Sequence, residues 1–174
     1  MPTLNASARR LAVRSAIAAS TGAAVLAFAP PSAAADPAPV PYPTGYRNWT
    51  HVKSLQIQSG HPLYDAFGGI HHLYANAKAM EGYRKGRFPD GAVIVFDLLE
   101  AKEADKTVGT GARKVVGVMH KDSKRWAATG GWGYEGFKGD SRPERAVGAN
   151  AATACPACHT ALKDKDYVFS AWQP

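Results

Sequence analysis

The stretch "AVIVFDLLEA" (residues 92–101) decides how this chain is read, because it is the most apolar run outside the first 35 residues. It is rich in β-branched residues, preceded by the turn-like "FPDG" (88–91) and followed by a polar segment, so it reads as a central β-strand. Working outward, "WTHVKSLQIQ" (49–58) partly alternates apolar and polar residues and reads as a strand closed by the turn "SGHP". Between them "AKAMEGYRK" (77–85) is a helix. Asn76 stands at the N-cap, Gly86 at the left-handed C′ position, and Met80 and Tyr83 lie at i, i+3 on the inward face.

Downstream, "KEADKTVGTGA" (102–112) reads as a polar loop. "RKVVGVMHK" (113–121) and "RWAATGGWGYEGF" (125–137) then read as two strands joined by "DSK" in a hairpin. "KGDSRPERAVGANAATA" (138–154) is a surface crossing into a short last helix. The expected fold class is α+β, mainly antiparallel β-sheet with a few short helices, the C-terminal one carrying the chemistry described next.

That helix holds "CPACH": Cys155, Cys158 and His159 form Cys-x-x-Cys-His. At this spacing two thiols add to haem vinyl groups and the adjacent histidine reaches the iron. The motif predicts one covalently bound haem c per chain, with His159 as the proximal ligand. A disulfide or redox dithiol is the plainer reading of two cysteines. The histidine directly after the second Cys, the lack of any other cysteine to exchange with and the missing βαβ pattern all weigh against it. All-helical cytochromes with a late haem motif need four long amphipathic helices, which this chain lacks.

Residues 1–35 read as a secretory signal peptide: Arg9, Arg10 and Arg14, then an uncharged Ala-rich stretch (15–29), then small residues for cleavage after Ala35. The apolar stretch is shorter than the ~20 residues that span a bilayer. The expectation is export by the general secretory route to the periplasm, with no membrane association after cleavage. Residues 36–48 form a proline-rich N-terminal segment, extended and mobile at its start, and 49–174 a single haem domain. The signal holds three of the 21 basic residues and none of the 14 acidic ones, so the formal charge of +7 partly belongs to it. No basic run with interleaved aromatics points to nucleic acid.

Only residues 160–174 follow His159, and none is Met or His. A second iron ligand must therefore come from upstream, where Met80, Met119, His51, His61, His71, His72 and His120 are the candidates, or from outside the protein. Met80 and Met119 occupy ordinary core positions. Neighbouring His71 and His72 would point to opposite faces of a strand, so at most one faces the haem. Should none bind, the iron is five-coordinate, and a sheet rich in Ile, Val and Phe offers an apolar wall. Such a wall admits NO and CO but stabilises bound O₂ poorly.

The ordered motifs "YRNWTHVKS", "HPLYDAFGGIHHLYAN", "GRFPDGAVIVFDLLEA", "KVVGVMHKDSKRWAATGGWGYEGF", "CPACH" and "DYVFSAW" resemble the cytochrome P-460 family, and within it the cytochrome c′-beta branch. The resemblance implies a homodimer of sheet-rich subunits, each with a c-type haem, a proximal histidine and an open sixth position. In the hydroxylamine-oxidising branch a lysine in the strand after the "F-x-D-G" turn is tied to the haem edge; here the aligned residue is Phe96. In cytochrome c′-beta two phenylalanines cap the distal face, and the resemblance carries that role to Phe67 and Phe96. The P-460 enzymes also use a distal carboxylate as proton acceptor, for which Asp164 and Asp166 show no matching spacing. Three functions follow: binding of NO and CO for sequestration, detoxification or sensing; hydroxylamine or NO oxidation; and electron transfer with a redox partner. The first is favoured, so an enzymatic role, beyond weak oxidoreductase or peroxidase activity, is not the leading expectation.

Overall fold

A computed structural model describes residues 39–174. The expected signal peptide, its cleavage after Ala35 and residues 36–38 lie outside the described residues. The architecture is α+β: one five-stranded antiparallel sheet with strands in sequential order and short helices in the connections. The strands are β1 (Thr50–Ile57), β2 (Gly69–Ala75), β3 (Val93–Ala104), β4 (Thr107–Lys121) and β5 (Trp132–Lys138). The helices are α1 (Tyr64–Phe67), α2 (Ala77–Lys85) and α3 (Ala151–His159). Among the described residues no helix is long and apolar enough to cross a membrane.

The apolar run forms the middle strand as expected. Val95 and Leu98 are fully buried on β3, each contributing about 1.5–3 kcal/mol of apolar burial. Helix α2 begins and ends where the sequence places it. Asn76 Oδ1 accepts from the Ala79 and Val93 amides at 2.8 and 3.0 Å, and its Nδ2 donates to the Gly91 carbonyl at 2.9 Å. One side chain thus caps the helix and ties it to the start of β3, and Gly86 ends it at φ 76°.

Both sheet faces are covered. One carries Ala75, Ile94, Trp132 and Tyr134 and packs on α2 through Ala79 and Met80, on Val168 and on Cys155 of α3. The other carries Val95, Val116, Val118 and Phe137 and packs on Val40, Tyr46 and Trp126. The described part of the proline-rich segment is therefore packed, with Val40 and Tyr46 buried.

Two readings need correction, and one strand is added. Residues 102–112 are not a loop: β3 and β4 continue through them as a long hairpin, turning at Asp105 and Lys106, both at positive φ. Most of this arm is exposed on both faces, so ladder hydrogen bonds hold it without the alternation that marks a half-buried strand. Strand β5 begins only at Trp132, and "DSK" alone does not make the β4–β5 connection. Asp122 Oδ1 instead accepts the Lys124 and Arg125 amides, starting a turn that runs through the 3₁₀ segment Ala127–Thr129. Finally, residues 69–75 form a full strand between β1 and β3, although two central histidines hide its pattern.

Candidate haem site

The register places Phe96 on the sheet face that also carries Tyr134, against which His159 packs. Phe96 pairs with Gly117 on β4, and Met119, two residues on, pairs with Tyr134 on β5. Residues two apart share a face, so Phe96, Gly117, Met119 and Tyr134 lie on the same side. His159 packs on Tyr134 with ring centroids 4.8 Å apart, which brings the end of α3 to that side.

In α3, Cys155, Cys158 and His159 occupy i, i+3 and i+4, one helix face. Cys155 is half-buried and Cys158 exposed. Burial pushes the Cys155 thiol pKa up, with smaller contributions from Glu135 and Cys158. His159 Nδ1 lies 2.7 Å from the Tyr167 carbonyl. A carbonyl only accepts, so Nδ1 carries the hydrogen and Nε2 keeps its lone pair. Burial lowers the pKa of His159 and so favours the neutral ring, opposed by the same bond to Tyr167.

The Tyr167 carbonyl is itself fixed. Asp166 and Tyr167 both adopt left-handed φ, 51° and 66°, a conformation that surrounding contacts must hold in place. Asp166 Oδ1 accepts from Lys121 Nζ at 2.7 Å, its Oδ2 from the Phe88 amide at 2.8 Å, and its carbonyl from Trp132 Nε1 at 2.9 Å. Lys121 also donates to the Gly130 carbonyl. Asp166, considered above as a proton acceptor, is thus buried in an ion pair behind His159, while Asp164 is exposed.

On the same sheet face Phe67, at the end of α1, meets Phe96 edge to face, with centroids 6.0 Å apart and planes at 73°. Gly117 lies directly under the Phe96 ring, and any Cβ there would collide with it. His71 stacks on Phe96 at 5.7 Å and 20°, and its Nε2 donates to the Phe67 carbonyl at 2.6 Å. Burial lowers the His71 pKa, opposed by that hydrogen bond.

The other candidate ligands are scattered. His72 lies on the opposite face, as strand alternation requires, and shares Ser54 Oγ with His51. His120 sits against Trp126, and His61 Nδ1 accepts the Leu63 amide in an exposed turn. Met80 is buried against the α2 side of the core, and Met119 packs beside it. A cleft of about 620 Å³ opens under α1 among Gln56, Tyr64, Glu100, Lys102 and Lys114, and none of the cysteines or His159 lines it. The site is a surface between α3 and the sheet, marked instead by exposed rings. Phe169 is 64% exposed yet lies 4.9 Å from His159, and Phe67 is 38% exposed.

A cytochrome P460 family model matches residues 43–170. The chain belongs to the cytochrome P460 family. No curated protein matches it. Membership implies a c-type haem protein, and the residues fit that group. His159 presents an unprotonated Nε2. Exposed Phe67 and Phe169 provide apolar surface for a large planar ligand to cover. Tyr134 Oη, beside His159, is the buried side-chain polar atom without a partner among the described residues. Burial holds its phenol protonated, a donor for which the described residues offer no acceptor. Tyr134, Tyr167 and Lys121 had no sequence signal as site residues, and Asp166 was considered only as a proton acceptor. Only the fold brings them to the motif.

Proposed function

We propose that this member of the cytochrome P460 family is an exported protein that binds NO and CO at a haem held by Cys155, Cys158 and His159, under a cap made by Phe67 and Phe96. When bound, the haem would supply an iron able to take a small diatomic gas. The chain's residues determine the rest. Cys155 and Cys158 anchor the group through thioethers, and His159 offers Nε2 because Tyr167 holds Nδ1. Phe67 and Phe96 exclude water and offer no hydrogen-bond donor, so gases that need none are favoured.

One observation carries this reading: the aromatic pair shares its sheet face with His159, and its nearest imidazole, His71, already donates Nε2 to the Phe67 carbonyl. The enzymatic alternative loses support from the same residues. Phe96 has no amine for a haem cross-link, and Asp166 is paired with Lys121, leaving it poorly placed as a general base.

Absorption spectra of the reduced holoprotein, with and without CO, test the proposal. The expected result is a five-coordinate high-spin ferrous spectrum that shifts on adding CO. A six-coordinate low-spin spectrum unchanged by CO would refute it in favour of an electron carrier. A strongly red-shifted ferrous band would point to a cross-linked haem and the enzymatic branch.

A further inference from the structure

Helix α1 is only four residues long, buries none of them and has no side-chain cap at its start. Yet it presents Phe67, half of the aromatic pair. Its C-terminal end is fastened from the sheet by two side chains: His71 Nε2 donates to the Phe67 carbonyl at 2.6 Å, and Lys114 Nζ to the Gly68 carbonyl at 2.8 Å. These are the carbonyls a short helix leaves without internal partners. Of the two anchors only His71 also touches the second ring, lying nearly parallel to Phe96 at 5.7 Å. It is buried on β2, opposite Leu98 of β3 and two pairs along, on the same face, from the Leu73–Phe96 pair.

We propose that His71 is the positioning residue of the aromatic cap: its N–H fixes the backbone that carries Phe67 while its ring face fixes Phe96, so one side chain sets the spacing of both rings and hence the rate of gas access. This rests on the gas-binding reading above and adds a determinant to it. The hydrogen bond has a defined polarity. The Phe67 carbonyl can only accept, so the hydrogen sits on Nε2, and burial keeps the ring in this single neutral tautomer. A leucine at 71 keeps the bulk but loses the donor. A glutamine keeps a donor but loses the stacked ring.

CO rebinding after flash photolysis of the reduced holoprotein tests this, with wild type, H71L, H71Q, F96A, F67A/F96A and the triple variant H71L/F67A/F96A compared at equal haem content. H71L is expected to speed CO association about three- to tenfold, the population shift that loss of one net hydrogen bond permits, with H71Q between H71L and wild type. In the F67A/F96A background H71L should change nothing, because a positioning residue acts only through what it positions. Wild-type rates in H71L would overturn the proposal, as would an equal acceleration in the F67A/F96A background. If H71L fails to retain haem, H71Q decides: a rise that vanishes in the F67A/F96A background supports the proposal, and an unchanged rate overturns it. F96A faster than wild type with H71L unchanged refutes His71 alone. A wild type that binds no CO refutes the gas-binding reading and this proposal together.

Discussion

Behind His159 the links are polar: imidazole to the Tyr167 carbonyl, the adjoining Asp166 to Lys121, the Phe88 amide and the Trp132 indole. Around Phe96 the links are mostly ring to ring, with Phe67 edge-on and His71 stacked, and a single hydrogen bond reaches the Phe67 backbone. The contrast matches what the proposed function asks of each region. A metal ligand has to be held in one orientation and one tautomer, which takes directional bonds from a fixed second layer. An aromatic cap has to exclude water yet give way to a small gas, and non-directional packing permits that. The region behind the histidine should therefore break sharply when one link is removed, and the cap should loosen by degrees.

The largest effect is expected from breaking the ion pair. Asp166→Ala leaves Lys121 buried without its carboxylate, a loss of about 3–5 kcal/mol, and removes a residue type that tolerates left-handed φ. Thermal unfolding should drop by roughly 10 °C or more for a chain of this length. Asp166→Asn keeps the acceptor and the backbone tolerance and should lose less than half of that. The Fe–His stretching frequency of the reduced holoprotein should shift in both variants, since the Tyr167 carbonyl moves with residue 166. An unchanged frequency would show that the ion pair only stabilises the fold.

Phe96→Ala ranks second. The ring is half-buried over Gly117, so the expected cost is about 2 kcal/mol, roughly half that of a fully buried phenylalanine. Stability falls modestly while CO and NO association accelerate. Kinetics equal to wild type would make Phe96 an ordinary core residue and erase the contrast between the two regions.

The sequence was most legible where one local rule acts alone. The Asn76 cap and Gly86 stop fix α2 to the residue, and the β-branched run marks β3. The Cys-x-x-Cys-His spacing locates the motif with no knowledge of the fold. Legibility failed where pairing or burial replaces periodicity. The arm formed by residues 102–112 is held by its ladder while most of its side chains face solvent, and β2 carries His71 and His72 in place of an apolar alternation. The support behind His159 was invisible for another reason. It depends on two non-glycine residues, Asp166 and Tyr167, adopting positive φ, and on a lysine 45 positions earlier reaching them. No local pattern encodes that meeting, because it exists only once β4, β5 and the C-terminal tail are packed together.

The smallest effect concerns pH, and it bears on both regions. His71 beside the cap and His120 against Trp126 are both held below the ordinary histidine pKa, mainly by burial. The folded chain therefore binds protons at these sites less readily than the unfolded chain. Stability is fully present above about pH 6.5, the ordinary value, and declines as pH falls through that value toward the lower folded ones. His120 lies on the opposite sheet face from the cap, so its protonation should weaken the fold without altering gas kinetics, whereas protonation of His71 puts a charge against Phe96. Urea unfolding midpoints and CO association measured side by side from pH 8 to pH 5 separate the two. A fall in midpoint that persists in H71Q belongs to His120 and similar sites, and a rise in CO rate that disappears in H71Q belongs to the cap. If midpoint and rate instead change together in H71Q as in wild type, the cap and the rest of the sheet respond as one body, and the graded loosening expected of the distal rings is absent.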